Sequence, residues 1–403
     1  MKGLINWLDD RFPLVSTWKK HVSEYYVPKN LNFLYFFGSL ALVVLIMQLF
    51  TGLWLTMFYT PSSEQAFNSI EYIMRDVNYG WLLRYMHSTG ASAFFIVIYF
   101  HMFKAILYGS YRKPRELIWL LGMTLFILLM AEAFSGYLLP WGQMSYWGAQ
   151  VITSLFSAVP YVGDYLVTWV RGDYTVANAT LQRFFSLHVI AIPFLLVLMV
   201  FFHIIALHKV GSNNPEGIEI SEHLDKDGKP EDSLPFHPYF TVKDFFGILV
   251  FLFIFFVLVF FFPEGGGLFL EPENFIPANP LLTPEHIAPA WYMTPFYAIL
   301  RAIPNKLLGV IAMSSAILIV FFMPWLDKSP VRSMRYKGRY SRVALAAFIV
   351  CFLILGYLGM VTITPLKQFL ARICTAIYFA YFLLMPIYSR YEIPLKEPER
   401  IGR

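Results

Sequence analysis

Eight apolar runs, near residues 33–56, 81–108, 117–138, 184–207, 245–262, 307–325, 343–361 and 367–389, constrain this chain more than any other feature. Each is about the 20 residues that cross roughly 30 Å of hydrocarbon as a helix. They are continuously apolar rather than alternating, so helices are expected and not a barrel, because a lone helix satisfies its own backbone in lipid. The 403 residues are 58% hydrophobic and 14% charged, more apolar surface than a soluble core of this size hides. The expected fold is an all-α membrane protein with eight spans, A to H.

Most of the 31 Lys and Arg fall at the two ends and in the B–C, D–E and F–G loops, all on one side. The positive-inside rule makes that side cytoplasmic, with both termini inside and the long C–D and E–F loops outside. The net charge of +5 then reflects topology and not nucleic-acid binding. Residues 1–30 have no apolar stretch of signal-peptide length, and are expected to be retained as an amphipathic helix on the cytoplasmic surface. Residues 31–210 would form a four-helix half (A–D), 211–240 a polar cytoplasmic loop, and 241–403 a C-terminal half (E–H). The outer loops are rich in aromatics and proline and are expected to fold back over a cavity. Cys351 and Cys374 lie in spans G and H outside any Cys-x-x-Cys-His, which excludes covalent c-type haem attachment and cysteine-held clusters.

Four of the nine histidines sit inside two spans, His87 and His101 on B, His188 and His203 on D. Fourteen helical residues advance about 21 Å and turn four revolutions less about 40°, so His87 and His101 share a face at two depths. With the second pair on a neighbouring helix, each depth offers two imidazoles, the axial ligands of one haem. B and D run in the same direction, so His87 with His188 would hold an outer haem iron and His101 with His203 an inner one. Glycines repeat the register: Gly38 and Gly52 on A, Gly122 and Gly136 on C, each pair fourteen apart. Glycine inside a helix costs about 1 kcal/mol relative to alanine; close approach to a flat macrocycle is one reason to keep it, and small-residue helix packing is another. Arg84 and Lys104, three residues outside the histidines, suit haem propionates or interfacial snorkelling equally.

From about residue 30 to the end, the strings GWLLRYMHSTGASAFFIVIYFHMFKAILYGSY, GYLLPWGQMSYWGAQVIT, RFFSLHVIAIPF, GSNNPEGI, HPYFTVKD and YAILRAIPNKLLGV resemble cytochrome b of the mitochondrial and bacterial bc complexes. The resemblance implies a quinol:cytochrome c oxidoreductase of the respiratory complex III type, in a bacterial inner membrane. Quinol would be oxidised outside, quinone reduced inside, and protons translocated. Its implied partners are a Rieske iron–sulfur protein, a c-type cytochrome and a second copy of the chain. By motif position, the outer site would use Phe134, Tyr137, Gly148, Pro289, Trp291, Tyr292 and Tyr297, and the inner site His208, Ser212, Lys243 and Asp244.

Two departures stand out. The family often has Pro-Glu-Trp-Tyr in the E–F loop, its glutamate accepting a quinol proton, whereas this chain has Pro289-Ala290-Trp291-Tyr292. Glu132 is expected to replace that carboxylate, with Glu285 the other nearby acid; a structural hydrogen bond is the plainer role for Glu132. The fifteen residues from His188 to His203 overshoot four turns by about 60°, so a bend near Pro193 or a local bulge should restore the shared face. Two other classes use membrane histidines: cytochromes that anchor a dehydrogenase, which lack the PWGQ and Trp-Tyr strings, and proton-relay transporters, which hold no haem.

Overall fold

The computed structural model describes residues 2–402. Among the described residues, seven helices are long and apolar enough to cross a membrane: Phe33–Thr56, Gly80–Tyr108, Glu116–Leu138, Asn178–Val210, Phe236–Phe261, Lys306–Leu326 and Arg339–Met360. Pro365–Leu383 and Met385–Tyr391, bent by 56°, together make an eighth. The bend falls where Pro386 removes a backbone donor and crowds the preceding turn. These are spans A to H in order, and their outward faces carry exposed Leu, Ile, Val and Phe, as a lipid-facing surface requires.

Span A packs on B and span C on D, while G packs on H and on a short helix, Thr294–Ala302, that precedes F. One buried cluster runs through both halves, from Val44 and Phe95 to Met323, Leu355 and Phe382. The N-terminal segment is more than a single surface helix. After Lys2–Asp9 and two shorter helical turns, strand β1 (Tyr26–Pro28) pairs antiparallel with β2 (Ser233–Pro235) from the D–E loop, and Val27 is buried.

The D–E loop, read as a plain polar surface segment, is tied down on the basic side. Glu219 bridges Arg115 at 2.6 Å and Arg332 at 2.7 Å, and Asp232 bridges Lys29 at 2.9 Å and Arg400 at 2.7 Å. Beneath them lies the buried pair Asp327–Lys337 at 2.5 Å, with Tyr111 donating to the same carboxylate at 2.6 Å.

On the opposite side the C–D loop contributes two helices, Gln143–Ser154 and Gly163–Arg171. The start of the first is sewn to the E–F loop. Gln143 N–H donates to Ile276 O, Ala278 N–H to Trp141 O, and Asn274 Oδ1 accepts from both the backbone N–H and the hydroxyl of Ser145. Gly142 has to be glycine here, because a Cβ would run into Asn274. The PWGQMS string is thus a clasp between the two halves of the chain.

Candidate functional site

Span D solves its fifteen-residue spacing with a bulge. Leu187–Ala191 is a π-helical turn containing His188, wider than an α-turn by one residue, and it absorbs the overshoot ahead of the regular helix Ile192–Val210. The histidines then meet at two depths. The ring centres of His87 and His188 lie 6.1 Å apart, and those of His101 and His203 6.3 Å apart. One metal atom bonded to a nitrogen of each ring sets a separation of about 6 Å.

Every glycine of the register faces a histidine. A Cβ on Gly52 would stand 3.0 Å from His87, on Gly122 3.3 Å from His203 and on Gly38 3.4 Å from His101, while on Gly136 it would collide with His188. A stripe of small residues used for helix packing would face a neighbouring backbone; these four face imidazoles. His87 Nδ1 is hydrogen-bonded to Thr51 at 2.9 Å, and His188 Nδ1 lies 3.0 Å from the Glu132 carbonyl and 3.1 Å from its carboxylate, partners that fix the ring and leave Nε2 for a metal. Among the described residues no cluster of three or more metal-binding side chains forms. Each site therefore offers two ligands, an axial set and not the three or four that hold a bare ion. Arg84 lies close enough to act on His87, and Lys104 on His101 and His203; neither has an ion-pair partner among the described residues. Two half-buried cations, one beside each pair, suit the carboxylates of a haem.

A cavity of about 430 Å³ opens between span C, the first C–D helix, the E–F loop and span F. Phe134, Gly148, Pro289 and Tyr297, all named from the sequence, line it. Tyr137, Trp291 and Tyr292 stand behind the lining. Trp291 donates to Ser92 Oγ at 3.1 Å, and Tyr292 stacks on Phe95 at 3.8 Å and 4°, so the Trp-Tyr pair anchors the loop to span B. Ile127, Met130 and Ala131 were missed on the wall; their spacing of seven, four and three before Phe134 marked the same helix face.

Glu132 is turned the other way, toward His188, and is absent from the lining; Glu285 is exposed. A third acid, which sequence reasoning passed over, lies behind the lining. Glu271 of the E–F loop accepts a hydrogen bond from Tyr137 Oη at 2.9 Å, and burial pushes its carboxyl up to about 7.

Toward the basic side, Asp244 accepts from Ser39 Oγ at 2.5 Å, Lys243 Nζ sits 4.4 Å over the Tyr239 ring, and His208 packs its ring 4.5 Å from that of Tyr25. Tyr25, in the segment read as surface, was another omission.

The family model Cytochrome b/b6/petB matches residues 22–211, and Cytochrome b(C-terminal)/b6/petD matches 277–379. Cytochrome b of Allochromatium vinosum is 58% identical over 98% of this chain and 98% of its own length. The chain belongs to the cytochrome b family. Cytochrome b of Rickettsia prowazekii is 50% identical, covering 98% of this chain and 97% of that one. A solved structure titled hyperthermophilic respiratory Complex III superimposes with a TM-score of 0.89 at 39% identity, over 96% of this chain and 99% of its counterpart. As a cytochrome b, the chain is a multi-pass membrane protein and the core subunit of a complex III oxidoreductase, carrying b-type haem in quinol-linked electron transfer across the membrane. The histidine pairs, glycine cradles and two cations of this cytochrome b fit that group.

Proposed function

We propose that this chain oxidises quinol in the cavity on its outer side and reduces quinone on its basic, inner side, as a subunit of a proton-translocating quinol:cytochrome c oxidoreductase. His87 and His188 hold the outer haem iron, and His101 and His203 the inner one. The observation that carries this reading is that four glycines on two other helices face those four imidazoles one to one. Bound there, the two haems supply single-electron transfer through the thickness of the membrane. Thr51 and the Glu132 carbonyl orient the outer ligands, and Arg84 and Lys104 neutralise propionates.

In the outer cavity Phe134, Pro289 and Tyr297 hold the quinol ring and exclude water, Gly148 leaves it room, and Trp291 and Tyr292 keep the loop in place. On the inner side His208, Ser212, Lys243 and Asp244 hold quinone and deliver protons to its carbonyls. Both termini lie in the cytoplasm of a bacterial cell, a reading that the basic loops support, and the bacterial relatives support an inner-membrane location. The likeness to a respiratory complex III supports association with a Rieske iron–sulfur protein, a c-type cytochrome and a second copy of this chain.

Pyridine haemochrome analysis of the purified complex tests the reading: two b haems per chain are expected, resolved as two midpoint potentials, with quinol-to-cytochrome c turnover blocked by an outer-site inhibitor. One haem per chain would sink the two-site assignment. None would leave a proton-relay transporter.

A further inference from the structure

Ala290 leaves the E–F loop without a carboxylate at the position where the resembled family often has one, yet the same loop brings another acid, Glu271, to Tyr137 behind the cavity lining. Tyr137 Oη donates to Glu271 Oε2 at 2.9 Å. The edge of the Tyr137 ring is 3.5 Å from where a Gly148 side chain would begin, and Gly148 is part of the lining, so one bare glycine separates that ring from the cavity. The loop cannot drift from this position, because Asn274, three residues on, grips Ser145 twice.

Three titratable groups face Glu271: Tyr137 from span C, Glu273 from its own loop and Tyr292 from the loop's far end. None is a cation, and no ion pair holds Glu271 among the described residues. A half-buried carboxyl in such company exchanges its proton near neutrality, which agrees with its shift to about 7. Glu273 beside it is exposed, so the proton has a short way to water.

We infer that Glu271, acting through Tyr137, takes up one of the two protons released when quinol is oxidised in the outer cavity. The inference rests on the outer-site reading above. Quinol loses two electrons and two protons; the electrons leave to the iron–sulfur partner and toward the outer haem. As one quinol O–H bond breaks, its proton binds Tyr137 Oη while the tyrosine's own proton passes to Glu271 Oε2. The carboxylic acid so formed releases its proton to the outer water, and the second quinol proton leaves by another route. Ionised Glu271 is the acceptor, so oxidation should accelerate as pH rises through about 7 and level off above it.

The test is the pH profile of quinol oxidation by the intact complex, with Glu271→Gln, Glu271→Asp and Tyr137→Phe. The expected result is a loss of about 100-fold or more for Gln and Phe, with the rise through neutrality gone, while Asp keeps that rise at a reduced rate. Haem spectra and inner-side haem reduction by quinol should stay as in the parent. A Gln variant with parental rate and pH profile overturns the proposal, as does an Asp variant that behaves like Gln, which would make Glu271 a structural anchor. If Gln fails to assemble, Tyr137→Phe decides: retention of the rise through pH 7 overturns it. Failure of the outer-site reading looks different, since the parent complex itself would then show no inhibitor-sensitive quinol oxidation.

Discussion

Glu132 shows how a helical angle decides a role. Two residues on a helix differ by about 200°, so Glu132 and Phe134 point to opposite sides of span C; Phe134 meets the cavity and Glu132 meets His188. That geometry was available from spacing alone, whereas the expectation of Glu132 as a quinol base followed its closeness in sequence and the cost of an acid facing lipid. A carboxylate on the outer ring nitrogen of a haem ligand increases that ligand's basicity and favours the oxidised iron. Glu132→Gln should therefore raise the midpoint potential of the outer haem by on the order of tens of mV and leave the inner one unmoved, as read by redox titration. The glycines grade similarly. Gly136→Ala should disturb the outer haem's spectrum or occupancy strongly, since a methyl there collides with His188, whereas Gly38→Ala, with 3.4 Å to His101, should be the mildest of the four. The histidine pairs were legible because their spacing is local to single helices. Glu271 was not, because its partner Tyr137 is 134 residues distant and nothing periodic marks a loop.

The π-turn at Leu187–Ala191 is the clearest case of an element shaped by one residue. Deleting Ile190 would give span D the fourteen-residue spacing of span B and let the turn relax to a regular α-helix. Both haems should be retained, as counted by haemochrome. Inserting one residue after Ile190 turns His188 by about 100° more and should lose the outer haem alone. Span lengths and order were readable because lipid demands uninterrupted apolar runs. The break in span H at Pro386 and the N-terminal strand Tyr26–Pro28 were not, the second because its pairing partner lies about 200 residues on.

Across the molecule, polar chemistry concentrates at the two ends of the bundle, where it joins segments distant in sequence. On the basic side Asp327 is fully buried; burial alone would raise its carboxyl, but Lys337 and Arg112 outweigh that and hold it below the ordinary carboxylate value. A depressed carboxylate adds stability that is present above about pH 4 and disappears as pH falls through its folded-state value. Asp327→Ala strands Lys337 and should cost about 3 to 5 kcal/mol, seen as a lowered unfolding temperature in detergent at neutral pH, with the gap to the parent narrowing in acid. Composition announced the basic side but not which acids would answer it, since Glu219 and Asp232 look like any other charges in a polar loop.

The clasp at Gly142–Ser145 has a consequence for how the polypeptide could be divided. All four imidazoles lie before residue 211, yet the cavity borrows its walls from both sides of the D–E loop. A membrane supplied with only the first 220 residues would be red and would carry no quinol turnover, and adding the remainder as a separate chain would restore turnover to the degree that Asn274 finds Ser145. Such an outcome would mean that pigment and catalysis are encoded in separable lengths of one gene.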